Sequence, residues 1–185
     1  MKENRKTRYT QMVLKDSLVE LMKEKSISKI TIKELCEKAD INRTTFYAHY
    51  SDQYELLKSI EEETLSWVKD TIAGFSGKRD KQDFIQNIQK VFEYIIDNKN
   101  HIQVLMSEQG DIDFQRTLLS VTYEQCGIWL MKDMNTNFAQ NELGFIFIIN
   151  GSLGLMQHWL KNGLKETALE MAEIICNMTY SMRLQ

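Results

Sequence analysis

Between Thr31 and Leu57 the chain spells out two short helices and the turn that joins them. This segment, TIKELCEKADINRTTFYAHYSDQYELL, limits the possible folds more than any other. Thr31 followed by Glu34 is a capping-box pattern, in which hydroxyl and carboxylate satisfy each other's orphan backbone N–H groups, and it predicts a helix starting at Ile32. Leu35, Cys36 and Ala39 give that helix one apolar face. Asp40-Ile41-Asn42 supplies the turn: Asp tolerates a left-handed backbone, and Ile41 is an apolar pin between the helices. Asn42 is a good N-cap for a second helix, predicted from Arg43 to His49. The outward side of that helix carries Arg43, Thr44, Thr45, Tyr47 and His49, which are rich in hydrogen-bond donors and include no carboxylate. Such a face suits the major groove of duplex DNA, and the segment reads as a helix-turn-helix.

The remainder is helical by the same reasoning. Proline is absent from the 185 residues and glycine numbers only 8, so long helices run uninterrupted. No alternating Val/Ile/Thr run with hairpin turns is present, which makes the expected class all-α with about nine helices. A first helix over 6–24 repeats Val13, Leu14, Leu18, Leu21 and Met22 at helical spacing and should pack across the helix-turn-helix. Ser51-Asp52 then caps a long helix from Gln53 to about Phe75, whose Tyr54, Leu57 and Ile60 face the first domain. Gly74 to Lys81 is the clearest break. The expected domains are therefore residues 1–52, a connecting helix over 53–77, and a helical regulatory and dimerisation domain over 78–185. Further helices are expected near 84–98, 101–108, 112–132, 139–162 and 166–182.

Net charge is −3, which at face value disfavours nucleic acid, but its distribution is uneven. Residues 1–58 carry an excess of three positive charges and residues 59–185 an excess of six negative ones. Electrostatics acts over about 8 Å at physiological salt, so a basic head coexists with an acidic body. Cys36, Cys126 and Cys176 lack metal or redox spacing and read as small core residues in a reducing compartment. The polar, basic start MKENRKTRYT is no secretory signal, and the apolar run from Leu143 to Leu160 is broken by polar residues. A cytoplasmic location without a membrane span is expected. His49, His101 and His158 are isolated, and no nucleophile motif, phosphate loop or metal-ligand spacing occurs. Neither an enzyme nor a cofactor is expected.

The stretch from Ile30 to Ile60 resembles the DNA-binding domain of the TetR/AcrR family of bacterial transcription regulators. The residues that carry the resemblance are Ile30-Thr31-Ile32, Leu35, Ala39, Ile41, Thr45-Phe46-Tyr47, His49-Tyr50 and Leu56-Leu57. Asp40 stands where many members have glycine, and Gln53 where many have a phosphate-contacting lysine. The resemblance implies that Thr45, Tyr47 and His49 contact DNA, mostly phosphates, and that Lys33 and Arg43 face base edges. Asn42, Thr44 and Lys58 complete the candidate DNA-binding set. The function it implies is a ligand-responsive homodimeric repressor on a palindromic operator. After residue 77, GSLGLMQHWLKNG and the Glu-rich helix behind it resemble the C-terminal type that includes dihydroxyacetone kinase regulators. That likeness keeps open an alternative, a coactivator with weak DNA binding that works through a partner regulator.

Two candidate sets lie in the C-terminal part. Trp67, Phe92, Met106, Tyr123, Trp129 and Phe147 belong to an aromatic and Met-rich group from which a small apolar or aromatic effector pocket could be lined. The helix near 139–162 is apolar almost all round, which a helix exposed on one side would not be. With the last helix it is expected to form a four-helix bundle with a second subunit, through Gly151, Leu155, Trp159, Met171, Ile175 and Met178.

Overall fold

The computed structural model describes residues 5–73, 81–107, 109–118, 121 and 138–181. Every element among them is helical: α1 (Arg5–Met22), α2 (Ile32–Ala39), α3 (Arg43–Tyr47), α4 (Gln53–Ala73), α5 (Lys81–Asp97), α6 (Lys99–Leu105), α7 (112–118), α8 (Phe138–Lys161) and α9 (Ala168–Ser181). The break expected at 74–81 lies outside the described residues apart from Lys81, the first residue of α5, and so do residues 119–120 and 122–132 of the helix expected near 112–132. The chain divides into two compact units, Met1–Thr64 with Asn100–Asp111, and Leu65–Lys99 with Ile112–Gln185. Helix α4 therefore contributes its first three turns to one unit and its remainder to the other.

In the first unit, α1 packs on α2, and α2 on α3. Leu14, Leu18, Val19, Met22, Ile30, Leu35, Phe46, Leu56 and Ile60 are almost wholly buried. The buried face of α1 differs from the predicted stripe. Ser17 and Val19 go inside, while Val13 and Leu21 are half-buried. Tyr54 was expected inside and is half exposed, because Leu56, one position before the expected Leu57, takes the central place on α4 with Leu57 and Ile60 beside it. Helix α6 returns to this unit, with its His101 Nε2 2.9 Å from Asp16 Oδ1 and its Asn100 Oδ1 accepting from Lys23 Nζ at 3.1 Å.

The second unit is organised by α5 lying along α9. Ile85, Ala172 and Cys176 form one core with Ile88 packed against it. Phe92 meets Trp159 edge to face with ring centroids 5.1 Å apart, and Trp67 stacks on Tyr94 at 3.9 Å. The predicted stop at Asn162-Gly163 is a closed turn. Gly163 has φ 86°, and Leu164 N–H donates to Trp159 O at 3.0 Å, satisfying a carbonyl at the end of α8.

Two boundaries moved for local reasons. Helix α9 starts at Ala168 because Thr167 and Glu170 cap each other, at 3.2 Å from Glu170 N–H to Thr167 Oγ1 and 2.7 Å from Thr167 N–H to the Glu170 carboxylate. Helix α6 starts at Lys99, ahead of the expected His101, because only Asn98 separates it from α5. Asn98 directs both its backbone N–H and its side-chain amide to Tyr94 O, each at 2.9 Å.

Asp40 sits in the left-handed region at φ 53°, ψ 46°, and Ile41 N–H reaches back to Cys36 O at 3.0 Å. That backbone is strained by about 1–2 kcal/mol for an ordinary side chain and by less for Asp. Glycine would remove the strain but loses about 0.5–1 kcal/mol through its freer unfolded chain. Asp40→Gly should therefore be near neutral, shifting the thermal midpoint by no more than about 2 °C. Asp40→Val, whose branched side chain resists this backbone, should lower the midpoint by several times as much. Circular dichroism melts of the three proteins check this.

Candidate nucleic-acid interface

The interface is built outward from two caps. At the start of α2, Glu34 N–H donates to Thr31 Oγ1 at 3.2 Å, and Thr31 N–H returns to the Glu34 carboxylate at 3.0 Å. Lys25 Nζ holds the same carboxylate from outside at 2.6 Å. The lysine first, then the Thr31 backbone and hydroxyl, draw the Glu34 carboxyl down to about 2. At the start of α3, Asn42 Oδ1 accepts from Thr45 N–H at 2.7 Å and from Thr45 Oγ1 at 2.9 Å.

Helix α3 is one and a half turns long and ends at Tyr47, short of the expected His49. Ala48 N–H still donates to Thr44 O at 3.1 Å in the α pattern, and the chain then tightens, with His49 N–H donating to Phe46 O at 2.9 Å. Phe46 is fully buried, its ring 5.5 Å from Tyr47 edge to face and 6.1 Å from Tyr50. This anchor turns the opposite side outward. Arg43, Thr44 and Tyr47 are exposed, and Thr45 and His49 are half-buried at its margins. No carboxylate lies within ion-pair distance of Arg43 among the described residues.

The remaining basic candidates are differently placed. Lys33 stands 3.8 Å from Glu37, and Lys58 3.8 Å from Glu62, both pairs being one helical turn apart and well exposed. Such pairs are worth only about 0.3–0.5 kcal/mol, so either lysine can exchange its carboxylate for a phosphate at little cost. Asn42 is committed to capping α3, which makes it a positioning residue for the face. Arg5, Lys6 and Arg8 fall in the first turn of α1, and all three are exposed.

The C-terminal candidates divide differently from the two sequence-based sets. Met106 is buried in the first unit, whereas Trp67 and Phe92 lie in the second. Tyr123 and Trp129 lie outside the described residues. Phe147, expected to line a pocket, is 63 % exposed on α8 with Leu143 and Ile146, one helical turn or less away. Gly151 and Gly154 continue that stripe with nothing within 4 Å of where a side chain would begin. Trp159, Met171 and Ile175, expected on the dimer face, are buried within their own unit. The Trp159 indole donates to Glu166 O at 3.0 Å. Leu155 is half-buried and Met178 exposed. Periodicity marks a helix as apolar on all sides without saying which side meets its own chain.

Two family models match the chain. The model of the bacterial regulatory proteins of the tetR family covers residues 16–60, and that of a transcriptional regulator C-terminal region, TetR_C_8, covers residues 82–181. The uncharacterized HTH-type transcriptional regulator YvdT of Bacillus subtilis (strain 168) is 26 % identical over 126 residues, which are 68 % of this chain and 65 % of YvdT. The chain thus matches somewhat less than two thirds of that relative's length. Among solved structures, the dihydroxyacetone kinase operon activator DhaS is similar at TM-score 0.62 and 17 % identity, over 94 % of this chain and 96 % of that one. FadR from Bacillus subtilis in complex with stearoyl-CoA is similar at TM-score 0.67 and 13 % identity, over 91 % and 96 %. No helix among the described residues is long and apolar enough to cross a membrane.

The Glu34 carboxyl generates a pH prediction. Its value in the fold lies below the ordinary 4.5, so the stability it confers is present above about 4.5 and is lost as pH falls through about 2. Glu34→Gln should flatten the decline in guanidinium midpoint between pH 4.5 and about 2. Equal slopes for the two proteins would show that the cap contributes nothing through its charge.

Proposed function

Because the chain belongs to the TetR family of bacterial transcription regulators, and is a DNA-binding regulator rather than an enzyme, we propose that it acts as a homodimeric, ligand-responsive repressor. The operator would be a palindrome read by two copies of α3. The observation that carries this reading is the α3 face, where Arg43, Thr44 and Tyr47 stand exposed and free of acidic neighbours on the helix while Phe46 roots it in the core. Arg43 and Lys33 would read base edges. Thr45, Tyr47, His49 and Lys58 would meet phosphates, and Asn42 would hold the register. A bidentate arginine–guanine contact is worth about 1–3 kcal/mol of discrimination.

Dimerisation is proposed through the exposed stripe of α8, with Leu143, Ile146, Phe147 and Gly151, and through Met178 on α9. Two-fold symmetry would match a palindromic site, with half-sites spaced by whole helical turns. An apolar effector is in keeping with the stearoyl-CoA held by the structural neighbour FadR. Trp67 and Phe92 are the candidates whose aromatic faces lie in the second unit. The effector must bind the two conformations of the dimer unequally, since equal affinity shifts nothing.

Gln53 supports a second reading. It is neutral where the resemblance implies a phosphate-contacting lysine, which suits a coactivator that touches DNA weakly beside a partner regulator. A mobility shift on the protein's own upstream DNA, alone and with the partner added, separates the two.

Arg43→Ala should weaken operator binding by about tenfold to a hundredfold and Tyr47→Ala by a smaller factor, with dimerisation intact. Unchanged affinity for both in a mobility-shift titration would remove the assignment. Phe147→Glu should convert the dimer to a monomer at micromolar concentration in sedimentation, with the helical spectrum retained. A dimer that persists would place the interface elsewhere.

A further inference from the structure

One side of α1 changes character halfway along. Arg5, Arg8, Tyr9, Met12 and Asp16 recur at three- and four-residue spacing and share that side, which Lys23 continues just past the helix end. Helix α6 meets the second half of it. His101 Nε2 lies 2.9 Å from Asp16 Oδ1, Lys23 Nζ donates to Asn100 Oδ1 at 3.1 Å, and Val19 between them is 1 % exposed. The first half stays open, with Tyr9 63 % and Met12 51 % exposed.

That open half is also cationic. Arg5 and Arg8 are exposed, and no carboxylate lies within ion-pair distance of either among the described residues. The sequence supplies none nearby, since no Asp or Glu occurs from Arg5 to Lys15 and Asp16 is engaged by His101. Cations in the first turn of a helix oppose its dipole, so these arginines do not serve the stability of α1. Their chemistry fits a phosphate–sugar backbone. A guanidinium pairs with phosphate oxygens, a tyrosine hydroxyl donates to them, and the apolar remainder of the face can lie against deoxyribose.

The start of α4 has the complementary deficit. Asp52 Oδ1 accepts from Tyr54 N–H at 2.9 Å and Glu55 N–H at 2.8 Å, and the Glu55 carboxylate accepts from Ser51 N–H at 2.6 Å. Carboxylates of the chain itself therefore occupy these backbone donors, and Gln53 beside them is neutral. A phosphate arriving there meets two negative charges and no cation before Lys58, which stands 3.8 Å from Glu62. Both places lie in the first unit.

We propose that the open side of α1, formed by Arg5, Arg8, Tyr9 and Met12, is a second DNA-contacting surface that takes the backbone charge the start of α4 cannot take. It rests on the DNA-binding reading above and adds the element that holds phosphates beyond those met by α3. Contacts of this kind raise affinity for any duplex and carry no base preference.

Each phosphate contact removed lowers the slope of log affinity against log salt by about 0.9. The full chain is titrated against its own upstream duplex and a shuffled duplex of equal length. Replacing both arginines, Arg5→Ala with Arg8→Ala, should lower the slope by about 1.8 per bound subunit on both duplexes. Between about 50 and 200 mM salt, wild type should then lose about tenfold more affinity per subunit than this variant. Arg5→Lys with Arg8→Lys should keep the wild-type slope. An unchanged slope in the alanine variant, with its helical spectrum intact, overturns the proposal, and is the result expected if this face serves a protein partner. Arg43→Ala separates the two levels. If it weakens upstream binding while the alanine variant keeps its slope, the α1 surface alone is removed. If wild type shows no salt-sensitive binding to either duplex, the DNA-binding reading falls and the α1 surface with it.

Discussion

Burial of Phe46 is the contact on which the donor-rich side of α3 depends. Helix α3 has five residues, far below the roughly 12–15 at which an isolated helix becomes even marginal in water. It exists because Asn42 satisfies an orphan N–H at its start and Phe46 is sealed in the core among the aromatic rings of Tyr47 and Tyr50. With Phe46 fixed inward, the 3.6-residue period carries Thr44 to the far side and Tyr47 to the flank, while Arg43 is exposed because it opens the helix. One inward side chain thus sets the orientation of so short a helix.

The turn before α3 shows the same economy. Thr31, Glu34 and Lys25 close the front of α2, and Asp40 closes its back in a left-handed conformation that brings Ile41 onto Cys36 O. Both ends of an eight-residue helix are thus satisfied by side chains and a turn, leaving its middle to bury Leu35 and Cys36.

Much of this was legible in the chain because it is local. Thr31-x-x-Glu34, Asp40, Asn42 and Gly163 act over three to five residues, and each did what its chemistry implied. The same kind of local signal, Thr167-x-x-Glu170, begins α9 two residues later than periodicity alone suggests. Other features were not legible. Tyr54 and Leu56 are both acceptable on the inner side of α4, and only neighbouring elements decide that Leu56 goes in. Likewise α8 is so uniformly apolar that its pattern could not distinguish Trp159, sealed against Phe92, from Phe147, left outside.

Sequence alone determined the all-α class, the helix-turn-helix with its caps, and the donor-rich character of residues 43–49, since capping, periodicity and charge sign are properties of neighbours along the chain. Tertiary structure decided which face of α8 remains apolar and open, how α6 is tied back to α1, and that one carboxylate oxygen of Glu61 on α4 is shielded from solvent. Those outcomes depend on which distant segments compete for the same buried volume, and no local pattern records that competition.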